Sequence, residues 1–505
     1  MYELYPYFTN DGTVGLFSRQ DDDIYHSTYG ALTESWEKFI IPSHFIDYIK
    51  AHNSVKVLDI CYGIGYNTKT ALNVFVSNLL ENEKFKNKIK NIDKNSQNNF
   101  QNTHSLTTSI ASIDTDNISE GDEDCFSGKF KEKSDFDPNT CSIITQSNEA
   151  IYSDNINEGS EGVIEQKNDS ILHAESINKN INAKNAEILC DNILIDAVDM
   201  DKILMDISPF IAEPSKSNFL LEKESDLPTE NKIKYQQIKS IKKSKKIIKE
   251  EFRLKREVSI ILFEKLIQQN PSFFEDPILQ VILSHKKYSP YLSKFMLNYA
   301  QFYQNQGYKH NENQNKMAFL HNIYYRYISE SYKNAQNLLN NAKIDINLVK
   351  NDARCFIKST NTKYNFIFLD AFTPSKCPAL WSVQFFKELF AKLEDEGMVL
   401  TYSNSAAVRN ALLQNGFYVG KTYDPNSKKY VGTIAVKNKN LIEHELDERD
   451  MDLINSKAGI CFKDDFLESD NAAIIARREA EVKNSELISS SQVLKGYKHE
   501  HAEIL

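Results

Sequence analysis

Short apolar runs that alternate with helix-period segments constrain the fold of this chain more than any other feature. VKVLDI (55–60), NILIDAV (192–198), NFIFLD (365–370) and GMVLTYS (397–403) have the length and residue types of buried strands. Each is followed by a segment whose apolar residues recur at three- and four-residue spacing, as in a helix packed on a core. This alternation predicts an α/β fold with a mostly parallel sheet covered on both faces.

The last two apolar runs predict a different pairing. FYVGKTY (417–423) and VGTIAVK (431–437) flank the turn residues DPNSKK, which favours an antiparallel hairpin at or near the sheet edge. Gly416 follows the helical segment AAVRNALLQN, at the position expected for its C-cap. The expected architecture is therefore a Rossmann-like sheet, mostly parallel, with a terminal antiparallel hairpin.

Two polar stretches interrupt this pattern. Residues 82–186 contain few aromatics and no sustained period, so they cannot bury enough surface to offset their ordering entropy. The predicted division of the chain is 1–81 for the N-terminal segment and first part of the main domain, 82–186 for a disordered insertion, 187–212 for the second strand and helix, 213–250 for a basic linker, 251–345 for a helical insertion, 346–440 for the second part of the main domain and 441–505 for a C-terminal tail.

Composition limits the protein class. The net charge of −10 argues against a protein that coats nucleic acid indiscriminately, although the basic segment 238–256 is either a solvated charged helix or a local surface for phosphates. No apolar run reaches the roughly 18 residues of a spanning helix, and the first residues do not form a secretory signal. Seven scattered cysteines without a CxxC pair predict neither disulfides nor a metal site and favour the cytoplasm.

The first predicted strand leads into a glycine turn, DICYGIGYNT (59–68). Gly63 and Gly65 allow the backbone to turn tightly and to approach a ligand at the start of the following helix. The turn matches neither the phosphate loop GxxxxGK[ST] nor the dinucleotide pattern GxGxxG. A nucleoside-type ligand is therefore favoured over a bound pyrophosphate.

Two further acids are candidates: Asp199 at the end of the second predicted strand, and Asp352 just before the next one. Asp199, with Asp201 as the near alternative, is placed to accept hydrogen bonds from a ribose diol, or is a solvent-facing loop acid. Asp352 can accept a hydrogen bond from an exocyclic amine, while nearby backbone groups read the ring edge; its alternative role is a helix N-cap.

FLDAFTPSKCPALW (368–381) concentrates the remaining chemistry. Asp370 ends an apolar run, where a carboxylate can accept hydrogen bonds from an amine and orient its lone pair. Pro374 and Pro378 stiffen the loop, and Phe372 and Trp381 are candidates to stack on a planar base. The alternative is that Asp370 caps a turn and the aromatics are core.

These blocks together resemble the MnmC-like family of tRNA-modifying methyltransferases. FLDAFTPSKCPALW is similar to the family's FLDGFAPAKNPEMW-like motif, and DICYGIGYNT resembles its glycine loop, which more usually reads ELGFGTGLNF. The segments 11–39 and 403–419 resemble the family's leading segment and its fourth strand and helix. NSKAGICFKDD (455–465) is similar to a C-terminal segment of some stand-alone members.

The resemblance implies a class I methyltransferase fold, S-adenosylmethionine as cofactor, and the aminomethyl group of a wobble uridine in the tRNA anticodon loop as acceptor, without metal or membrane. Asp370 would lie at the substrate amine as a base or an orienter. The substrate pocket would be shaped by Phe372, Pro374, Lys376 and Trp381. The cofactor would be held by His26, Glu34, Asp59, Gly63, Gly65, Asp199 and Asp352.

The chain also departs from the family pattern. Cys61 and Ala371 stand where the family has glycine, and the insertions 82–186 and 213–345 have no counterpart in compact members. No second glycine motif indicates a flavin-binding half. The alternatives are a methyltransferase or aminopropyltransferase acting on a small amine, a non-catalytic RNA-binding protein on the same fold, and a dinucleotide-dependent oxidoreductase.

Overall fold

A computed structural model describes residues 4–18, 23–26, 29–82, 85–89, 188–213, 253–307, 330–424 and 427–502. They belong to one compact unit, which comprises Met1–Ile92 and Ile188–Leu505. The segments predicted as a disordered insertion (82–186) and a basic linker (213–250) lie almost wholly outside the described residues. None of the helices in the described ranges is long and apolar enough to cross a membrane.

The strands are β1 Leu4–Phe8, β2 Val14–Ser18, β3 Asp23–Ile24, β4 Ser54–Ile60, β5 Asn192–Asp199, β6 Lys343–Lys350, β7 Tyr364–Leu369, β8 Leu393–Thr401, β9 Tyr418–Asp424 and β10 Lys429–Val436. The α-helices are α1 Ala31–Ser35, α2 Phe45–Ala51, α3 Tyr66–Glu81, α4 Lys202–Ile207, α5 Arg256–Gln269, α6 Pro277–Ser284, α7 Lys294–Gly307, α8 Ala353–Ser359, α9 Val383–Lys392, α10 Ala406–Gln414, α11 Glu448–Ile454, α12 Asn471–Asn484 and α13 Ser490–Ala502. A π-helix, Trp36–Ile40, continues α1, and residues 330–341 are also helical.

Seven strands form one mixed sheet in the order β6-β5-β4-β7-β8-β10-β9. The five strands from β6 to β8 pair in parallel, whereas β10 pairs antiparallel with both β8 and β9. The predicted mostly parallel sheet with a terminal antiparallel hairpin is confirmed. Strand order reverses at β4, because the chain first adds β5 and β6 on one side and later β7 and β8 on the other.

Alternate residues of the central strands enter two different cores. Val57 and Phe368 pack in one cluster with α3 and α5, whereas Leu58 and Leu369 pack in the other with α9 and α10. Period-two alternation with both faces apolar is what a strand buried between two helix layers requires.

The edge strand β6 was not among the predicted strands. The predicted boundary between the helical insertion and the second part of the main domain, at 345/346, falls inside it. Its residues Ile344, Ile346 and Leu348 face the core, and the Gln269 side chain of α5 bonds to its backbone at Ile346 and Leu348. The helices of 253–341 thus share the core of the sheet and cover part of its edge.

A separate antiparallel sheet, β1-β2-β3, precedes the main sheet. Asp11, in the turn after β1, accepts hydrogen bonds from the backbone and hydroxyl groups of Thr13 and Thr33 and from the Thr9 hydroxyl. Thr33 belongs to α1, so this buried carboxylate fixes α1 against the hairpin. Tyr66 of α3 bonds through its hydroxyl to Val14 and ties the hairpin to the main sheet.

We predict that Asp11→Ala lowers the free energy of unfolding by on the order of 3 kcal/mol, because several buried donors lose their only charged acceptor. Urea denaturation measures the change. Asp47→Ala is the matched control, since the Asp47 side chain is 78% exposed. Equal stability of the two variants would contradict a structural role for Asp11.

Candidate functional site

The parallel registers bring four strand ends to one edge of the sheet. Ile60 of β4 pairs with Val198 of β5 and with Leu369 of β7. The next residue of each strand therefore lies at the same level, and Asp199 and Asp370 flank the glycine turn. The backbone N–H of Asn351, after β6, donates to the Asp199 carbonyl at 3.0 Å. In such sheets ligands bind outside the carboxyl ends of the strands, where strand order reverses.

The glycine turn is held to β5 by backbone hydrogen bonds. Gly63 and Gly65 have φ of 56° and 79°, which is the left-handed region. The Gly63 N–H donates to Asp199 Oδ2 at 2.7 Å, and the Asp201 N–H donates to Oδ1 at 2.8 Å. Asp199 is thus anchored by two amides and remains half-buried at the mouth of the crevice. Burial raises the pKa of its carboxyl group.

A buried lysine supports the same turn from below. Lys69 of α3 donates through Nζ to the carbonyl groups of Ile64, at 2.9 Å, and Ser208, at 2.7 Å. The Ser208 hydroxyl contacts Tyr62 Oη and the Ile64 carbonyl. Burial lowers the pKa of Lys69 to about 7. This network links both sides of the turn to the segment after α4.

Asp59 lies beneath the glycine turn rather than in the crevice. It is fully buried, and its Oδ2 accepts from the backbone N–H of Thr68 at 3.1 Å and from the hydroxyl at 2.7 Å. Its Oδ1 has no hydrogen-bond partner among the described residues. The geometry corrects the expectation of a direct cofactor contact, because Asp59 supports the start of α3. Burial raises its pKa to about 7, and the charge of Asp370 raises it further.

Asp370 begins the loop after β7 and faces the N-terminal helices. Its Oδ2 accepts a hydrogen bond from Asn67 Nδ2 at 3.0 Å, and its backbone N–H donates to the Ile60 carbonyl. Burial, followed by the negative charge of Glu34, raises the pKa of Asp370 to about 6. Glu34 forms an ion pair with Lys38, whose charge acts in the opposite direction. A carboxylate that can gain or lose a proton near neutral pH therefore lies at the point where strand order reverses.

The leading segment closes over this side of the crevice. His26 is buried, its ring meets the Tyr66 ring edge-on at 5.0 Å, and its Nε2 has no partner within the described ranges. Burial lowers its pKa to about 4, so the ring is neutral near pH 7. The Tyr25 ring lies 5.3 Å from the ring of Phe372. Phe372 is half-buried and contributes an aromatic surface beside Asp370.

The structure corrects the role expected of Trp381. Its ring is fully buried, and its indole N–H donates to the Phe372 carbonyl at 2.8 Å. It therefore holds the loop in place and does not offer a face to a base. Lys376 is exposed and Pro374 is half-buried on the same loop, so both remain accessible to a substrate.

Asp352 acts as the N-cap of α8. Its Oδ1 accepts from the Arg354 N–H at 2.8 Å, and the Arg354 guanidinium donates to both carboxylate oxygens at distances from 2.7 to 3.2 Å. These contacts occupy the acceptor positions of the carboxylate. Arg354 therefore competes with an exocyclic amine for the Asp352 carboxylate, which is 23% exposed, and the backbone N–H groups of Asn351, Asp352 and Arg354 already donate hydrogen bonds within the protein.

The residues at this edge fit a cationic nucleoside donor. Asp199 and Asp370 are half-buried acids on either side of the turn, and a Cβ built on Gly63 would approach none of the described residues more closely than the 3.6 Å contact with the Tyr25 ring. One buried polar atom without a described partner, His26 Nε2, belongs to a ring that packs against Tyr66, the first residue after the turn. Across the described residues, no group of three or more His, Cys, Asp or Glu side chains is arranged to hold a metal ion.

Parts of the chain are similar to known proteins. Residues 314–438 match the family described as S-adenosyl-L-methionine-dependent methyltransferase. An uncharacterized protein of Methanocaldococcus jannaschii is 32% identical over 161 residues, which is 30% of this chain and 45% of that protein.

Several MnmC proteins also match part of the chain. The tRNA 5-methylaminomethyl-2-thiouridine biosynthesis bifunctional protein MnmC of Campylobacter hominis is 33% identical over 86 residues, 17% of this chain and 13% of that protein. MnmC of Burkholderia pseudomallei is 41% identical over 76 residues, 15% of this chain and 11% of that protein. The chain spans less than half the length of these curated relatives. A crystal structure of MNMC2 from Aquifex aeolicus aligns with a TM-score of 0.44 and 16% identity, over 96% of this chain and 87% of that chain.

Three residues of the site were not predicted from the sequence. Asn67 follows the glycine turn directly, and its place at the start of a helix beside the strand ends was a usable signal. Lys69 and Arg354 gave no such signal, because a lysine or arginine on an amphipathic helix is normally solvated.

We predict that Asp59→Asn stabilises the protein at pH 8, by on the order of 2–4 kcal/mol. The folded-state pKa of about 7 exceeds the ordinary value, so wild-type stability falls as pH rises from about 4 to 7, and asparagine abolishes that loss. Urea denaturation at pH 5 and pH 8 measures it.

Asp196→Asn is the matched control, because Asp196 is buried but both of its oxygens accept hydrogen bonds, from Asn347 and Tyr364. That variant should lose stability at both pH values. Destabilisation of Asp59→Asn at pH 8 would contradict the raised pKa.

Proposed function

We propose that this chain is an MnmC-like S-adenosyl-L-methionine-dependent methyltransferase and that it methylates the aminomethyl group of a wobble uridine in tRNA. The product would be a nucleoside of the 5-methylaminomethyl-uridine type. The observation that carries this proposal is the place of Asp370, a desolvated carboxylate at the reversal of strand order, beside the glycine turn. We assign the activity to the cytoplasm, where such a tRNA would be met.

The donor side of the crevice is formed by β4, β5 and β6. When bound, S-adenosylmethionine supplies an electrophilic methyl group on a positively charged sulfur. The Asp199 carboxylate, fixed by the amides of Gly63 and Asp201, is positioned to accept hydrogen bonds from the ribose hydroxyls. The partly exposed Asp352 carboxylate, held by Arg354, would lie at the adenine amine. Rigid placement of the donor supplies proximity, which accounts for much of the acceleration in such a transfer.

The acceptor side is formed by Asp370 and the loop after it. An amine must lose its proton before it attacks, and a carboxylate with a pKa near 6 is ionised at neutral pH and can hold the ammonium form. Asn67 fixes one carboxylate oxygen, so the other is directed to the substrate nitrogen. The bound donor would supply the methyl group to the amine nitrogen, and Asp370 would accept the proton that the amine loses or pass it to water.

An RNA acceptor is supported by the surroundings of Asp370 and by the names of the relatives. Exposed anticodon bases are commonly bound on aromatic side chains, and the half-buried Phe372 ring lies two residues after the proposed catalytic carboxylate, Asp370. Lys376 adds an exposed cation on the same loop. The matched MnmC proteins are described as enzymes of tRNA 5-methylaminomethyl-2-thiouridine biosynthesis.

We predict that Asp370→Ala lowers kcat by at least about 100-fold while the Kd for S-adenosylmethionine stays within a few-fold, because the carboxylate acts on the acceptor amine. Single-turnover methyl transfer and calorimetry measure the two quantities. Asp201→Ala serves as a control for removing another acid at the crevice edge, and its rate should exceed that of Asp370→Ala. A near-normal rate for Asp370→Ala would overturn the assigned role.

We predict that the protein transfers labelled methyl to bulk tRNA and not to free polyamines. Nucleoside mass spectrometry of tRNA from cells lacking the protein should show accumulated 5-aminomethyl-uridine, because its methylation would stop. Transfer to polyamines alone, with an unaltered nucleoside profile, would favour a small-amine methyltransferase. Donor binding without any transfer would favour a non-catalytic RNA-binding protein.

A further inference from the structure

The C-terminal segment 456–471 packs against the start of α9 and the core on that face of the sheet. Phe462 pairs with Ser382 as a parallel bridge, and the Val383 N–H donates to the Phe462 carbonyl at 3.0 Å. Its buried side chains Phe462 and Leu467 belong to the same core cluster as Trp381. The segment is therefore continuous with the core of the catalytic domain and is not a loose tail.

One part of this segment controls the turn after β6. Asp464 is fully buried, and its Oδ2 accepts from Arg354 Nη1 at 2.9 Å. The other Asp464 oxygen accepts hydrogen bonds from the backbone amides of Glu468 and Ser469. Against the opposing effect of burial, these bonds and the one from Arg354 lower the pKa of the Asp464 carboxyl group. Arg354 in turn holds both oxygens of Asp352. Asp464 thus holds the Arg354 guanidinium, which in turn holds Asp352 at the end of the crevice where the adenine of the donor is proposed to bind.

A second part of the segment contacts the loop that follows Asp370. Asn471, the first residue of α12, donates through Nδ2 to the Lys376 carbonyl at 3.2 Å. Its Oδ1 accepts from the Ala379 N–H at 3.4 Å. A single side chain therefore bridges two points of the loop that follows Asp370.

We propose that segment 456–471 is a positioning element that sets both walls of the crevice, the donor wall through Asp464 and Arg354 and the acceptor wall through Asn471. The proposal rests on the proposed function for the identity of the two ligands. Neither Asp464 nor Asn471 touches substrate in this arrangement, and both act through other residues.

The physical reason is that both walls are short turns without secondary structure of their own. The turn at Asp352 joins the end of β6 to the start of α8, and the loop 371–377 lies between β7 and a short 3₁₀ turn, Pro378–Trp381. A buried, charge-assisted pair and a bridging amide restrict these turns at little entropic cost once the segment has packed.

The test compares Asp464→Asn and Asn471→Ala in the full chain. Asp464→Asn removes the charge that orients Arg354, so the Kd for S-adenosylmethionine by calorimetry should rise about tenfold, with a smaller effect on acceptor binding. Asn471→Ala should leave that Kd within about twofold, raise the KM for tRNA roughly fivefold and speed hydrogen exchange of peptide 370–381.

Matched controls separate positioning from general destabilisation. Asp465→Asn makes the same change on an exposed neighbour that pairs with Arg477, and Asn484→Ala changes the exposed asparagine at the other end of α12. Both should retain wild-type donor affinity and tRNA kinetics. If Asp464→Asn does not fold, Arg354→Lys tests the same link, because lysine keeps the charge but loses the paired contacts to Asp352.

The proposal is overturned if Asp464→Asn or Arg354→Lys folds with wild-type donor affinity, or if Asn471→Ala matches Asn484→Ala in loop exchange and in tRNA KM. Failure of the proposed function gives a different result. In that case the wild-type protein does not methylate tRNA, while the donor affinity and loop exchange of the variants still report the positioning role.

Discussion

The parallel pairing of β4 with both β5 and β7 is the constraint on which the rest of the structure depends. Because Ile60 is level with Val198 and Leu369, three strand ends separated by more than a hundred residues of sequence present Asp199, the glycine turn and Asp370 together. A one-residue slip of β7 would turn Asp370 to the opposite face, away from Asn67 and Glu34. The position of the site therefore depends first on the register of the strands and only then on the individual side chains.

This arrangement gathers negative charge in a poorly solvated place. Asp370 raises the pKa of Asp59, and Glu34 raises that of Asp370. Burial raises the pKa of the Cys61 thiol, and Asp199 raises it further. Such a crevice is unfavourable when empty, and it is complementary to positively charged ligands. A sulfonium donor and an ammonium acceptor both carry the charge that relieves this repulsion.

Cys61, the main departure from the family's glycine loop, does not change the shape of the turn. It adopts φ of 66°, the left-handed conformation that glycine would take, and its N–H still donates to the Val198 carbonyl at 2.9 Å. A side chain in that conformation costs about 1–2 kcal/mol. The thiol packs against the second core, so the backbone path needed for a ligand is retained despite the substitution.

The sequence was sufficient for elements with a strong pattern and insufficient for roles that depend on packing. The central strands and the terminal hairpin were predicted because apolar runs and turn residues are local signals. β6 was missed because only Ile344, Ile346 and Leu348 of an edge strand are buried, next to a long helical region. Trp381 was expected to stack on a base, and Asp352 to bind the donor directly. The alternatives stated for these residues, core packing for Trp381 and an N-cap for Asp352, agree with the structure, and the choice depended on burial that no local pattern shows.

The central claim is that the donor binds where the ends of β4, β5 and β6 meet, against the loop after β7. Hydrogen exchange with and without S-adenosylmethionine measures this most directly, because it reports backbone amides along the chain. Slower exchange in the glycine turn 61–65, at 199–202 and at 351–354 is the result that the structure predicts. Protection confined to other segments, with these three unaffected by a bound donor, would contradict it.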